Sequence, residues 1–378
     1  MKVLSLFDGM ACGMIAMQLA GMEVESYDAY EIDKYAIKTA QHNFPMIKEH
    51  GDVFEANFTQ YEGVDFLIGG SPCTYWSIAQ TKNRETVASG LGWELFSQYV
   101  RALREAKPKY FIYENNKSMS KAIRASIDET FGFEAVLINS ALVSTQNRQR
   151  LYWVGKRNED GTYSKVLVEQ PEDRGILLRD ILETGVCWRD KSYTLDANYY
   201  KGGNLTSIEK QSGHRLMVAE PLIATPDGKG VTLCGNGGGL GAKTGLYAVP
   251  ITQTKDGKSF SITANYANMP EFPNDYSAHS IEKSVKPVAA VPYVGQVTGS
   301  KIYEVKDGLI TIKGKQYPIK LKDGYYIIRK LTVRECMRLQ TVPEWYEFPV
   351  SDSQAYKMLG NGWTCEVIAH ILKSLKEA

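Results

Sequence analysis

A cysteine follows two glycines, a serine and a proline directly after a short apolar run, at residues 69–73 (GGSPC). The apolar run at residues 64–68 is typical of a buried strand. Ligands of open α/β sheets bind outside the carboxyl ends of the strands, which would put Cys73 at a binding crevice. A thiolate there is a candidate nucleophile, and a buried structural cysteine is the alternative.

Charged side chains follow or precede two further apolar runs. Glu114 ends the run at residues 110–113, where a carboxylic acid could protonate or hydrogen-bond a ring nitrogen. A solvated strand end is the other interpretation. Arg148 and Arg150 precede the run at residues 151–155, and alternation along a strand puts them on the same side. Their guanidinium groups could hold a carbonyl and a phosphate, or form an ion pair with Glu114.

A glycine-containing turn follows the first apolar run, at residues 7–13 (FDGMACG). Glycine lets a ligand approach the backbone, and the following helix offers free amide groups. Glu31, at the end of a second strand, is suited to ribose hydroxyls, and Asp52 to an adenine amino group. The sequence contains neither GxGxxG nor GxxxxGK[ST]. An adenosyl ligand without a pyrophosphate therefore fits better than a dinucleotide or a triphosphate.

The order of the elements explains how these groups could come together. Apolar runs alternate with helical patterns, the runs at residues 3–7, 64–68, 110–113 and 136–143 and the helices at residues 14–20 and 93–106. This alternation predicts a mostly parallel sheet with helices on both faces. Thr332 and Glu335 form a capping box that opens a helix, and an apolar stripe marks a last helix near the C-terminus. We expect this end of the chain to pack back onto the first sheet.

The middle of the chain differs in composition. Residues 185–327 contain 18 of the 33 glycines and 17 Lys and Arg against 12 Asp and Glu, a balance of +5. The rest of the chain has 27 basic against 31 acidic residues, or −4. We predict a first domain at residues 1–184 and 328–378, and an inserted, mostly β or irregular domain at residues 185–327. Imperfect repeats within the insertion favour either loops that face a partner or a recurring strand and turn.

The overall composition excludes several classes of protein. The chain has 378 residues, 43% of them hydrophobic and 23% charged, with a formal net charge of +1. These values exclude a disordered chain, a collagen-like fibre and a globally basic coat. Six cysteines without a CxxC pair or zinc-type histidine spacing indicate reduced thiols and a cytoplasmic protein. We expect no signal peptide and no membrane span.

The motifs, in this order, resemble those of the DNA cytosine-5 methyltransferases. The resemblance covers about residues 1–157 and 327–378. It rests on residues 7–13 (FDGMACG), 69–73 (GGSPC), 114–116 (ENN), 146–150 (QNRQR) and 359–362 (LGNG). It implies a Rossmann-like S-adenosylmethionine-dependent methyltransferase fold, with residues 185–327 in the place of the family's target-recognition domain. Thr74 and Asn116 depart from the family's common residues but remove no chemically required group.

The resemblance also implies roles for individual residues. Cys73 would attack carbon 6 of a flipped cytosine, Glu114 would support ring nitrogen 3 and the exocyclic amine, and Arg150 with Arg148 would hold the carbonyl oxygen. Carbon 5 would then take the methyl group of S-adenosylmethionine, and loss of the carbon-5 proton would release Cys73 and leave S-adenosylhomocysteine as the second product. The implied cofactor contacts are Phe7, Asp8, Gly9, Gly13, Glu31, Ile32, Asp52, Pro72 and Asn361.

The expected partner is double-stranded DNA. We expect the protein to act as a monomer, to need no metal and to bind no membrane. The expected setting is a restriction-modification system or a mobile element. An RNA methyltransferase is an alternative, because one branch with this fold modifies tRNA. The inserted segment favours DNA, since sequence readout needs a reading surface. A catalytically silent DNA-binding relative is disfavoured because the four groups required for the chemistry are intact. The missing dinucleotide fingerprint disfavours a NAD-dependent oxidoreductase.

Overall fold

The computed structural model divides into two compact units. It describes residues 1–78, 84–201, 215–222, 232–234, 245–247 and 302–377. The first unit comprises Met1–Glu183, Arg189–Leu216 and Lys330–Ala378, and the second comprises Thr184–Trp188 and Met217–Arg329. Arg189–Leu216 therefore group with the first unit, whereas the change in composition put the boundary before them. Most of the predicted insertion, with most of its repeats, lies outside the described residues.

An eight-stranded sheet forms the centre of the first unit. Its strands are β1 (Lys2–Leu6), β2 (Ser26–Tyr30), β3 (Ile47–Glu49), β4 (Phe66–Gly69), β5 (Tyr110–Asn116), β6 (Val136–Asn139), β7 (Gln149–Arg157) and β8 (Tyr163–Lys165). The order is β3-β2-β1-β4-β5-β7-β6, with β8 paired to β7. Strands β1 to β5 pair in parallel, and β7 is antiparallel to β5 and β6. The direction of strand addition reverses between β1 and β4, where sheets of this kind bind ligands.

Seven α-helices accompany this sheet among the described residues. They are α1 (Cys12–Leu19), α2 (Lys34–Asn43), α3 (Leu91–Ala106), α4 (Lys121–Phe131), α5 (Val333–Leu339), α6 (Asp352–Asn361) and α7 (Cys365–Glu377). The predicted capping box opens α5, with Glu335 N donating to Thr332 Oγ1 at 3.1 Å and Thr332 N donating to Glu335 Oε2 at 2.8 Å. Helix α7 packs against α1, which joins the end of the chain to its beginning. The mostly parallel sheet with its helices confirms the predicted fold class.

The apolar core lies between the sheet and α3 and α4. Helix α3 contributes the buried side chains Phe96, Tyr99 and Leu103, whose spacing follows the helical period. Phe96 lies 5.2 Å from Tyr113 of β5 and Tyr99 lies 4.8 Å from it, measured between ring centroids. Full burial of such a side chain stabilises the fold by roughly 1.5–3 kcal/mol. The strands that carry the site residues therefore pack against a buried apolar core.

Strand β6 is shorter than the apolar run predicted. It ends at Asn139, whose Oδ1 accepts hydrogen bonds from Ala141 N and Arg148 N, each at 3.1 Å. This side chain starts a 3₁₀ turn at Ser140–Leu142. The prediction of a strand through residue 143 was therefore wrong, because an Asn side chain competes with the strand for backbone donors.

Strands and the turns between them make up most of the described part of the second unit. The strands are β9 (Met217–Leu222), β10 (Thr232–Cys234), β11 (Gly245–Tyr247), β12 (Ile302–Lys306), β13 (Leu309–Ile312), β14 (Lys315–Pro318) and β15 (Gly324–Lys330). Five of them form a sheet in the order β14-β13-β12-β15-β9, and β10 and β11 form a separate pair. The pairings among β12 to β15 are antiparallel, in agreement with the predicted β character.

Among the helices of the described residues, none has both the length and the apolar character needed to cross a membrane.

Candidate active site

A cavity of about 220 Å³ lies where strands β1, β2, β4 and β5 end. It is lined by the turn after β1, the segment after β4, the ends of β5 and α6 and the start of β7. The predicted residues that line it are Phe7, Asp8, Gly9, Glu31, Pro72, Cys73, Glu114, Arg148, Arg150 and Asn361. Gly13, Ile32 and Asp52 are not among its lining residues.

The turn after β1 is fixed to the end of β2. Phe7 and Gly9 both have positive φ angles, of 59° and 64°. Phe7 N donates to Tyr30 O at 2.8 Å, and Gly9 N donates to Glu31 Oε2 at 2.9 Å. The other carboxylate oxygen of Glu31 accepts from Ile32 N and Asp33 N, each at 2.8 Å. Three amides therefore hold Glu31 in place against the cavity.

The residues outside the lining have local roles. An added Cβ at Gly13 would lie 2.4 Å from Ile68 Cδ1 and 2.7 Å from Tyr27 Oη, so this glycine lets α1 approach the sheet closely. Asp52 accepts from Phe54 N at 3.0 Å and caps a short 3₁₀ helix. Ile32 is 75% exposed. Their predicted contacts with a cofactor stay predictions.

Asp8 combines burial with an unused hydrogen-bonding atom. Its Oδ1 accepts from Ser5 Oγ at 2.5 Å and from Tyr27 Oη at 2.6 Å. Its Oδ2 is buried without a hydrogen-bond partner among the described residues. Burial raises the pKa of Asp8 to about 6; the hydrogen bonds from Ser5 and Tyr27 oppose this rise, and the charge of Glu31 adds to it. A ligand with a donor or a positive charge would satisfy Oδ2.

Two glycines allow the segment after β4 to pass between its neighbours. An added Cβ at Gly69 would lie 2.6 Å from Leu6 O, and one at Gly70 would lie 2.7 Å from Glu114 O. Cys73 follows as the first residue of a short 3₁₀ helix and is only partly buried. Ser71 fixes this segment to β5, since its Oγ and Tyr113 Oη lie 2.7 Å apart. The placement of Cys73 against the cavity favours the nucleophile over a sealed structural thiol.

Glu114 and Arg150 form an ion pair across strands β5 and β7. Arg150 Nε lies 3.0 Å from Glu114 Oε1, and the two side chains are only 13% and 11% exposed. The antiparallel register places Arg150 opposite Asn116, two residues from Glu114. Trp363 donates its indole Nε1 to Glu114 Oε2 at 3.0 Å. The carboxylate is therefore oriented from two sides.

Arg148 forms hydrogen bonds with backbone carbonyls of neighbouring segments. Its guanidinium donates to the carbonyls of Leu195 at 3.2 Å, Gly360 at 3.3 Å and Gly362 at 2.9 Å. Burial, together with the nearby charge of Arg150, lowers the pKa of Arg148 to about 10. The two arginines of the motif thus differ, since Arg150 contacts the Glu114 carboxylate and Arg148 supports the turn after α6.

The charges around the cavity are separated by the strand order. Asp8 and Glu31 follow β1 and β2, whereas Arg148 and Arg150 lie on or beside β7, on the other side of β4. This order places the segment that carries Cys73 between an acidic and a basic end. Two further charges of the lining are paired, Asp33 with Lys357 at 2.7 Å and Glu114 with Arg150 at 3.0 Å. In the part of the chain that the structure describes, no group of three or more His, Cys, Asp or Glu could hold a metal ion.

Three side chains that shape the site were not predicted from the sequence. Ser5 lies within the first predicted strand and Tyr27 was given no role, although both donate to Asp8. Trp363 follows the LGNG motif, and its partner Glu114 is 249 residues away. The sequence shows only a tryptophan next to a glycine-containing turn, and this pattern does not identify its hydrogen-bond partner.

Comparisons with known proteins cover nearly the whole chain. A family model described as C-5 cytosine-specific DNA methylase matches residues 1–377. The orphan methyltransferase M.SPRI of Bacillus phage SPR is 27% identical over 438 aligned positions, covering 99% of this chain and 97% of that protein. The type II methyltransferase M1.ScrFI of Lactococcus lactis subsp. cremoris is 27% identical, covering 100% and 78%.

Solved structures show the same fold. A DNMT2 mutant from Spodoptera frugiperda matches with a TM-score of 0.56 and 15% identity, covering 99% of both chains. The methyltransferase EhMeth of Entamoeba histolytica matches with a TM-score of 0.51 and 13% identity, covering 100% of this chain and 98% of that one. At these identities the likeness concerns the fold alone.

Proposed function

Because the chain belongs to the C-5 cytosine-specific DNA methylase family, we propose that it methylates carbon 5 of a target cytosine in double-stranded DNA. The observation that carries the proposal is the grouping of Cys73, Glu114 and Arg150 around one cavity at the strand ends. A cytosine stacked in a duplex cannot reach such a cavity. The target base must therefore flip out, at a cost of a few kcal/mol.

Cys73 is the proposed nucleophile. Its thiolate forms a bond to carbon 6 of the flipped cytosine, and the electron pair of the 5,6 double bond moves into the ring. Cys73 is only partly buried and lines the cavity that a flipped base would enter, which supports this role. This addition is unfavourable for an unassisted cytosine, so neighbouring groups must stabilise the charge that enters the ring.

Glu114 and Arg150 are the proposed stabilising pair. The carboxyl group of Glu114 would face ring nitrogen 3 and the exocyclic amine, where it supplies or accepts a proton as the charge changes. Arg150, 3.0 Å from Glu114, would donate to the carbonyl oxygen of the base. Arg148 supports the turn after α6 and acts on the base only indirectly.

S-adenosylmethionine is the proposed methyl donor, and when bound it supplies the electrophilic methyl group that carbon 5 accepts. Its positive charge suits the acidic end of the cavity, where Asp8 Oδ2 has no partner among the described residues. Gly9, with its positive φ, leaves room beside the turn, and Glu31 is held in place for hydroxyl groups. Phe7, Pro72 and Asn361 line the same cavity. The residues present therefore fit an adenosyl cation.

Removal of the carbon-5 proton completes the proposed reaction. The electron pair of that bond restores the 5,6 double bond and expels the sulfur of Cys73 from carbon 6.

The segment at residues 185–327 is proposed to select the target sequence, supported by its mild positive charge. Action as a monomer and a cytoplasmic location stay predictions.

Bisulfite sequencing tests the proposed function directly. DNA from a host that expresses the chain should show protected cytosines within one recurring sequence, and DNA from a host that expresses Cys73→Ala should show none. If the DNA stayed unprotected while cellular RNA acquired 5-methylcytosine, the RNA alternative would replace the proposal.

A further inference from the structure

Trp363 lies two residues after the end of α6 and faces the proposed catalytic carboxylate. Its indole Nε1 donates to Glu114 Oε2 at 3.0 Å. Trp363 lines the same cavity as Cys73 and Glu114. No motif in the sequence assigned it a role, and the contact joins the end of β5 to the segment between α6 and α7.

The Glu114 carboxylate has little freedom beside this contact. Arg150 Nε holds Oε1 at 3.0 Å. An added Cβ at Gly70 would lie 2.9 Å from Oε2, so the backbone of residue 70 closes another side. Two N–H donors from different segments therefore fix the plane of the carboxylate.

Trp363 is itself carried by a well-anchored turn. Arg148 Nη2 donates to Gly362 O at 2.9 Å, and Gln340 Nε2 donates to the same carbonyl at 3.2 Å. On the other side of Trp363, Thr364 Oγ1 donates to Gln340 Oε1 at 3.0 Å. The neighbours of Trp363 are therefore anchored on both sides, which keeps its indole within reach of Glu114.

We propose that Trp363 is a positioning residue, which holds the Glu114 carboxylate in the orientation that meets the target cytosine. An indole N–H donates but neither accepts nor ionises in the working pH range, so it orients the carboxylate without competing for the ring proton. An ionised carboxylate offers about four lone-pair sites, and the two described donors leave the others for the base. This inference rests on the proposed function and adds a role for a residue outside its catalytic set.

A double-mutant cycle in the full-length chain tests the proposal. Trp363→Phe keeps an aromatic ring and removes the N–H, Glu114→Gln removes the charge, and the third variant carries both changes. Trp345→Phe is the matched control, because Trp345 is 51% exposed and outside the cavity lining. The readout is the single-turnover rate of methyl transfer to DNA, with the Kd values for S-adenosylmethionine and DNA measured separately.

Trp363→Phe should slow single-turnover transfer roughly 10- to 100-fold, the range for a hydrogen bond to a charged group. The two Kd values should change less than about threefold, and Trp345→Phe should transfer at the wild-type rate. In the Glu114→Gln background, Trp363→Phe should have less than about a threefold further effect, because its action passes through that carboxylate. An equal loss in both backgrounds, or a loss confined to Kd, would overturn the positioning role. An inactive wild-type chain would instead contradict the proposed function.

Discussion

Replacing Arg148 should chiefly lower the stability of the fold, because its hydrogen bonds go to the backbone of neighbouring segments. The guanidinium donates to three carbonyls, those of Leu195, Gly360 and Gly362, and each carbonyl would lose a partner in Arg148→Met. Hydrogen bonds from a charged donor contribute roughly 1.5–3 kcal/mol each to the free energy of unfolding. The three bonds together therefore set the upper limit of the loss.

Burial of the cation offsets part of this contribution. The pKa of Arg148 falls from its ordinary value of 12.5 to about 10, chiefly through burial. The apolar methionine side chain avoids this desolvation of a buried cation, so the net loss is smaller than the sum of the three hydrogen bonds. We therefore expect Arg148→Met to lower the free energy of unfolding by about 4 kcal/mol, within a factor of two.

Urea denaturation followed by tryptophan fluorescence measures this loss. Arg150→Met is the matched comparison, since Arg150 makes one ion pair and one backbone hydrogen bond instead of three carbonyl bonds. It should lose less stability than Arg148→Met while still losing methyl transfer. The assignment of Arg148 to the scaffold is refuted if Arg148→Met unfolds at the wild-type urea concentration, or if Arg150→Met is the less stable variant.

Three further outcomes follow from particular contacts. Because the pKa of Asp8 is about 6 in the folded chain against an ordinary 3.8, protonation of Asp8 favours the folded state. This contribution to the free energy of unfolding is present below pH 4 and is lost as the pH rises through 6. Asp8→Asn should therefore raise the free energy of unfolding by about 3 kcal/mol at pH 8 and by less than about 1 kcal/mol at pH 4, measured by urea titration. In calorimetry, the wild-type affinity for S-adenosylmethionine should weaken as the pH falls through 6, since protonation removes the charge on Asp8. Gly360→Ala should cost about 3 kcal/mol in the same urea titration, because its Cβ would lie 2.3 Å from the backbone carbon of Asp196; an unchanged midpoint would contradict this packing.

The sequence was informative where function depends on strand ends. Apolar runs located β1, β4 and β5, and the meeting of their carboxyl ends explains why Cys73 and Glu114 line one cavity. Local side-chain chemistry was equally readable, as the Thr332 and Glu335 capping box shows.

Contacts between distant segments could not be predicted. Periodicity placed Arg148 and Arg150 on one side of a strand, but the carbonyl partners of Arg148 lie 47 to 214 residues away. The close approach of Gly13 to Ile68 and Tyr27, which leaves no room for an added Cβ, was likewise not predicted. These outcomes depend on how layers pack, which no local pattern encodes.

Covalent trapping on DNA that contains 5-fluorocytosine tests the central claim most directly. Fluorine at carbon 5 cannot leave as a proton does, so a bond between Cys73 and carbon 6 should persist once methyl transfer has occurred. With S-adenosylmethionine present, the wild-type chain should form a denaturation-resistant adduct with such DNA, and Cys73→Ser should form none. An equally abundant adduct with Cys73→Ser, or none with an active wild-type chain, would contradict the account.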